Sequence, residues 1–358
     1  MRSLLFVVAS FLVTILAWGV YGPVLHWGQL DMSTVGGLAR MRPFVCVGLA
    51  YFAIGVIVPT VLLKFKGEKG DWTVRGIVFS LAGGALGAVG ALGIILAFNF
   101  GGEPVYVMPL VFGGAPVVNS FLTITLARRM KEIGSIFIAG LVMVLLGAIT
   151  VLLSSPRAEK APAAAPVEVV ADTGADVEAA QAESGLIRRS LMQIVSIALA
   201  IVCWGSYGPV LHKGQAAMHQ SRLRPFLCVG LAYFAIAVIV PELWLAVVPE
   251  ASEYNFWGTT WSLAAGAAGA IGALGIIMAF NFGGRPVYVM PLVFGGAPVV
   301  NTLLTTVRGD LWDEVNAMFL AGLILVIAGA AIVLVFAPKG APPPPPPPPE
   351  LEVEKEKE

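Results

Sequence analysis

The fold class that the sequence predicts is an all-α integral membrane protein. It has ten transmembrane helices, arranged as two inverted five-helix repeats. Three observations carry this. First, 58% of the 358 residues are hydrophobic and only 12% charged, with a mean hydropathy of +0.86. A soluble domain carries about 25% charged residues. Second, the apolar runs are continuous and each is about 20 residues long, enough to cross about 30 Å of hydrocarbon. Barrel strands instead alternate apolar and polar over about ten residues. Third, the chain repeats itself. Gly90 to Asn119 and Gly272 to Asn301 agree at 28 of 30 positions. Residues 42–59 recur at 224–241 with 16 of 18 identical, and WGVYGPVLHWGQ (18–29) returns as WGSYGPVLHKGQ (204–215). This composition excludes an ordinary soluble enzyme, a nucleic-acid binder and a disulfide-stapled secreted domain.

The spans follow in order: 4–26, 43–63, 76–98, 105–127 and 134–153, then 190–212, 226–248, 258–280, 287–307 and 316–336. Residues 1–153 form the first repeat and 188–338 the second. The first span resembles a signal peptide in position, but its copy at 190–212 sits mid-chain, so both read as mature spans. Between the repeats, residues 154–187 are rich in Ala, Pro, Asp and Glu without apolar period, which predicts a disordered linker. Residues 339–358 form a tail of eight prolines followed by ELEVEKEKE. Its prolines favour an extended polyproline II rod, solvated or read by a partner domain.

Five spans per repeat is odd, so the second repeat should enter from the opposite face. Loop charges agree. Lys64, Lys66, Lys69 and Arg75 follow the second span, whereas the matching stretch holds Glu242, Glu250 and Glu253. Arg128, Arg129 and Lys131 follow the fourth, against Arg308 with Asp310, Asp313 and Glu314. Cytoplasmic loops favour Lys and Arg. Both termini are therefore expected in the cytoplasm, with the chain in a bacterial inner membrane.

No Asp or Glu falls in the middle of a span, which argues against cation export and a proton channel. The fourth span of each repeat reads PVYVMPLVFGGAPVVN. Pro109, Gly113, Gly114 and Pro116, with Pro291, Gly295, Gly296 and Pro298, predict a kink or break near the midplane. Paired interruptions point to a transporter's binding site. Asn119 and Asn301 lie one turn on, there either to bond a solute or to satisfy a freed backbone group. Tyr106 and Tyr288 either close an end of the pathway or anchor the interface. Trp18 and Tyr21, with Trp204 and Tyr207, either stack a planar solute or form an aromatic belt. His26 and His212 are candidates for proton coupling, against an interfacial hydrogen-bonded role. Asn99 and Asn281 read as helix stops, and Arg42 and Arg224 as side chains snorkelling to headgroups. Gly84, Gly87, Gly90 and Gly93 and their copies make a small-residue packing stripe. The three cysteines show no metal or redox spacing, and no catalytic triad or nucleotide motif is present. No cofactor, no metal and no enzyme activity are expected.

Two inverted five-helix halves, each opening on a Trp-Gly helix and holding a Pro/Gly-interrupted fourth helix, resemble the drug/metabolite transporter superfamily. EamA-like carriers and bacterial glucose/ribose and rhamnose uptake proteins belong to it. The resemblance covers about residues 4–153 and 190–336. It implies a central pathway near Trp18, Tyr21, Tyr106, Asn119 and their copies, with the fifth helix of each half packed outside it. The expected function is secondary transport of a small neutral polar or weakly anionic metabolite, a sugar first, by alternating access. A scaffold or receptor acting through the tail, or a passive channel, are the rivals. The expected partners are a small-molecule solute, the lipid bilayer, a second copy in a homodimer and a ligand of the tail; nucleic acid is not expected.

Overall fold

The structure is a computed structural model describing residues 2–126, 131, 133–154, 175–219, 221–282 and 286–336. Helix dominates it, and no strand occurs among the described residues. The helices are α1 (Arg2–Asp31), α2 (Met41–Phe52), α3 (Val58–Phe65), α4 (Val74–Asn99), α5 (Pro104–Leu126) and α6 (Ser135–Ser154). They continue as α7 (Ala175–Ala217), α8 (Leu223–Phe234), α9 (Val240–Val247), α10 (Phe256–Asn281), α11 (Pro286–Gly309) and α12 (Ala317–Phe336). A five-residue π turn joins α2 to α3 at Ala53–Ile57, and another joins α8 to α9 at Ala235–Ile239.

Among the described residues, seven helices are long and apolar enough to cross a membrane, and α6 and α12 carry shorter apolar stretches. Their continuous hydropathy, with few charges, makes this an integral membrane protein. One expectation fails. Residues 175–187, read as disordered linker, are helical and open α7. The run ADVEAAQAES is rich in Ala, Glu and Gln, all strong helix formers, and it extends a helix already nucleated downstream. Residues 155–174 and 337–358, the rest of the linker and the proline tail, lie outside the described residues, as do Arg128 and Arg129.

The two halves interleave. α1 lies against α10 and α11, while α7 lies against α4 and α5; α2 packs on α10 and α8 on α4. The glycine stripes make this exchange close. A Cβ on Gly90 would collide with the Trp204 indole, and one on Gly272 with the Trp18 indole. Without Cβ atoms the helices meet on backbone. The same device joins α6 to α12, where a Cβ on Gly147 would meet Val326 N at 2.6 Å and one on Gly329 would meet Val144 N at 2.7 Å.

Caps hold the exchange at the starts of α4 and α10, whose 26 residues each span about 39 Å. Thr73 caps α4 by accepting from Gly76 N at 3.0 Å, and its hydroxyl donates to Ala217 O at the end of α7. Its copy Asn255 accepts from Gly258 N at 2.7 Å and donates to Asp31 O at the end of α1. Side-chain oxygens at N-caps satisfy amides that the helix leaves open.

Carboxylates repeat the pattern. Glu68 accepts from the amides of Arg222 and Leu223, at 3.0 and 3.1 Å, at the start of α8. Its copy Glu250 accepts from the amides of Arg40 and Met41, at 2.9 and 3.1 Å, at the start of α2. Arg42 and Arg224 are drawn into these clusters. Arg42 donates to Ser252 Oγ at 2.5 Å, and Arg224 donates to Glu68 O at 3.4 Å. Each arginine thus bonds to a loop of the other half, Arg42 to a hydroxyl and Arg224 to a backbone carbonyl.

Candidate functional site

The centre of the bundle is aromatic, and every ring in it has a copy. α1 supplies Trp18 and Tyr21, and α7 supplies Trp204 and Tyr207. Each indole N–H is tied to the opposite half. Trp18 Nε1 donates to Gly269 O and Trp204 Nε1 to Gly87 O, both at 3.2 Å. Phe112 of α5 and Phe294 of α11 complete a layer with the two indoles. Ring centroids are 6.4 Å apart for Trp18–Phe112, 6.1 Å for Phe112–Trp204 and 6.3 Å for Phe112–Phe294. This placement excludes the aromatic-belt reading of Trp18 and Trp204, because both sit mid-helix among core residues.

A second layer is made of tyrosines. Tyr51 of α2 and Tyr233 of α8 stack face to face, with centroids 3.6 Å apart and planes within 3°. Tyr21 lies in the same core cluster as this pair, and Tyr207 packs against that cluster. Tyr21 also meets Trp204 edge-on at 5.9 Å. Tyr21, Tyr51 and Tyr233 are only 3%, 6% and 4% exposed, and the Tyr21 hydroxyl has no hydrogen-bond partner. The sequence reading found Tyr21 and Tyr207 but missed Tyr51, Tyr233, Phe112 and Phe294. The signal for the tyrosine pair was present: LAYFAI recurs within an otherwise apolar helix.

Pro109, Gly113, Gly114 and Pro116 do not break α5, which runs unbroken from Pro104 to Leu126. Nor do Pro291, Gly295, Gly296 and Pro298 break α11. Of the expected kink or break, the break does not occur, and the glycines serve helix packing. A Cβ on Gly113 would collide with Val326 of α12, and one on Gly114 would meet Ile201 of α7 at 2.7 Å. Gly296 meets Ile15 of α1 in the same way, at 2.9 Å. These glycines admit neighbouring helices rather than free the backbone. The departures from α-helix lie instead in the π turns just after Tyr51-Phe52 and Tyr233-Phe234, a feature that recurs at functional sites.

The two ends of this centre differ, although their residues are copies. At the Asn99 end, α1 closes on α4. Gln29, fully buried, donates to Ala39 O at 2.8 Å and Ile95 O at 3.3 Å. Asn99 donates to Leu38 O at 2.6 Å, so it is a clasp as well as a helix stop. His26 packs edge-on against Phe98 with centroids 5.3 Å apart. Asn301, also fully buried, donates from α11 to Pro104 O at 2.7 Å. Tyr106 seals the same end, donating to Gly101 O and accepting from Gln193.

At the Thr73 end the copies stand apart. Tyr207, Gln215 and Asn119 are half-buried and His212 is exposed. Among the described residues no bond from the Gln215 side chain reaches α10. Among the described residues, α1 touches α4 and α5, whereas α7 makes no comparable contact with α10 and α11. The side chains of Tyr288, Pro291 and Asn281 lie outside the described part.

The ends also differ in chemistry. Trp27, Trp261 and Trp257 cluster at the Asn99 end, with Arg308 stacked over Trp27 at 4.5 Å. The copies of Trp27, Trp261 and Trp257 are Lys213, Phe79 and Arg75, and both cations lie over the Phe79 ring, at 5.7 and 5.8 Å. No group of three or more metal-ligating side chains occurs among the described residues. No protein-family model matches the chain, and no curated protein matches it.

Proposed function

We propose that this protein is a secondary carrier that moves a small neutral polar or weakly anionic metabolite by alternating access. The observation that carries the reading is the inequality of its two ends. Gln29, His26 and Asn301 close one end, while their near-identical copies Gln215, His212 and Asn119 stand open at the other. Residues of the same sequence in both conditions differ little in intrinsic preference, so exchange between the two arrangements costs little. In this reading ten helices cross the membrane as two inverted sets of five.

The bodies that rock are mixed. One comprises α1, α2, α10 and α11, the other α4, α5, α7 and α8, as the pattern of helix contacts suggests. Inverted repeats around a midplane site are the common plan of such carriers. The resemblance to the drug/metabolite transporter superfamily points the same way.

Orientation follows from the loops. Lys64, Lys66, Lys69, Arg75, Lys213, Arg222 and Arg224 belong to the Thr73 end; at the other, Trp257 and Trp27 take the places of Arg75 and Lys213, Ala246, Val248 and Ala251 those of the three loop lysines, and only Arg40 and Arg42 match in charge. Cations favour the cytoplasmic side and aromatics the interface. The Thr73 end and both termini are then cytoplasmic, and the structure corresponds to a state open to the cytoplasm.

The test is thermal stabilisation of the purified protein over sugars, amino acids, nucleosides and organic anions, followed by uptake into proteoliposomes. A ligand at a hundredfold excess over its Kd stabilises the folded state by about 2.7 kcal/mol. Saturable uptake of a stabilising compound is expected. Flux that never saturates would indicate a channel, and no response in folded protein would remove the carrier reading.

A further inference from the structure

Resting on that carrier reading, we propose that Tyr21, Tyr51, Tyr207 and Tyr233 are the solute-contact site, and that the site takes an uncharged solute bearing hydroxyl or amide groups. The four phenols come from α1, α2, α7 and α8, one from each half of two copied pairs. They stand where the rocking bodies meet, because Tyr51 and Tyr233 stack across the contact between α2 and α8.

The Tyr21 hydroxyl is buried without a partner. An orphaned hydroxyl costs about 1–3 kcal/mol, and such a cost is retained where something else supplies the missing bond. Both indole N–H groups of the aromatic centre are already committed, donating to glycine carbonyls. Phenols therefore carry recognition. Each donates one hydrogen bond and accepts others, which suits hydroxyl and amide groups equally.

Charge is disfavoured at the same place. The stretches that carry these tyrosines, residues 3–30, 43–63, 190–212 and 225–241, contain no Asp, Glu, Lys or Arg. An ion there would lose its hydration without a counter-charge. The anionic half of the substrate range is thereby removed.

Access follows the open end. Tyr207 is half-buried, as is Gly208 beside Asn119, whereas Tyr21 is buried. The π turns following Tyr51-Phe52 and Tyr233-Phe234 allow each helix to shift locally, so the stacked rings can part to admit a solute.

The experiment needs no known substrate. In the full chain with Cys46, Cys203 and Cys228 replaced by Ala, single Tyr21→Cys, Tyr51→Cys, Tyr207→Cys and Tyr233→Cys variants are reconstituted in vesicles. They are exposed to three methanethiosulfonate reagents of similar size: one uncharged, one anionic and one cationic. The uncharged reagent should modify the four positions at least tenfold faster than either ion. Ile94→Cys, buried in α4, should stay unmodified.

Should removal of a ring unfold the protein, Gly208→Cys keeps all four tyrosines, and the same tenfold preference is expected there. Equal rates for charged and uncharged reagents would overturn the proposal. So would no modification of folded variants by the uncharged reagent, which would mean a sealed core. Either result would leave the carrier reading intact if Gln215→Cys still labels faster than Gln29→Cys. Loss of that difference would instead count against the carrier.

Discussion

Gly90 and Gly272 set how closely the two halves approach, because each faces an indole of the other half with no room for a methyl group. Forcing a Cβ there is overpacking, which costs about 1–3 kcal/mol. Gly90→Ala and Gly272→Ala should each lower the melting temperature in detergent. Combining Gly90→Ala with Trp204→Phe should cost less than the sum of the singles, since the smaller ring relieves the clash. Additive losses would mean that the glycine and the indole do not press on each other. The stripe itself was legible, since glycines three apart along an apolar helix announce close packing. Its partners were not. Nothing in the spacing says that Gly90 meets Trp204 from a helix 114 positions away in sequence. Tyr51 and Tyr233 were hidden for the same reason. A tyrosine in an apolar run is an ordinary core residue until a second one is seen stacked on it.

Among the elements, the loop carboxylate Glu68 carries a pH dependence. The Glu68 side chain is 5% exposed. Burial pushes its pKa up, but bonds from Ser221, the Arg222 and Leu223 amides and the Arg222 side chain outweigh that and hold it below the usual value. A lowered folded pKa means that the unfolded chain binds the proton more readily. The stabilisation is then complete above the ordinary glutamate pKa of about 4.3, and it is lost as pH falls through the lowered value. Glu68→Gln should cost about 1–3 kcal/mol at neutral pH. It should also flatten the acid side of a stability-against-pH curve measured in detergent. A parallel curve, merely shifted down, would show that Glu68 is not the group titrating. The helices themselves were legible from hydropathy and length, and the loop glutamates appeared only as charges. That each caps a helix of the other half depends on where the loop lands, which no local pattern encodes. The break that the Pro/Gly motif could have made is absent for a related reason. Its glycines lower the barrier to bending, yet the packing of α7, α12 and α1 against them uses the space instead.

Across the whole molecule, the inequality of the ends gives the sharpest expectation. With native cysteines replaced, Gln215→Cys should react with a water-soluble thiol reagent added at the Thr73 end at least tenfold faster than Gln29→Cys from either end. Cross-linking Cys residues placed at Gln29 and Ile95 should trap the closed Asn99 end and abolish solute exchange, with reduction restoring it. Uptake that persists through the cross-link would mean that this end never opens. The sequence by itself determined that the chain is helical, lies in a membrane and is doubled. Hydropathy, run length and repetition are properties of contiguous residues, so they survive without coordinates. Only the tertiary structure decided which copied residues meet, that the halves interleave, and that Gln29 and Asn301 are buried while their copies Gln215 and Asn119 are half-buried. Two near-identical segments have near-identical local preferences, so no reading of either can distinguish them. The difference arises from the packing of each segment against helices of the other half, and packing is a property of the assembled chain.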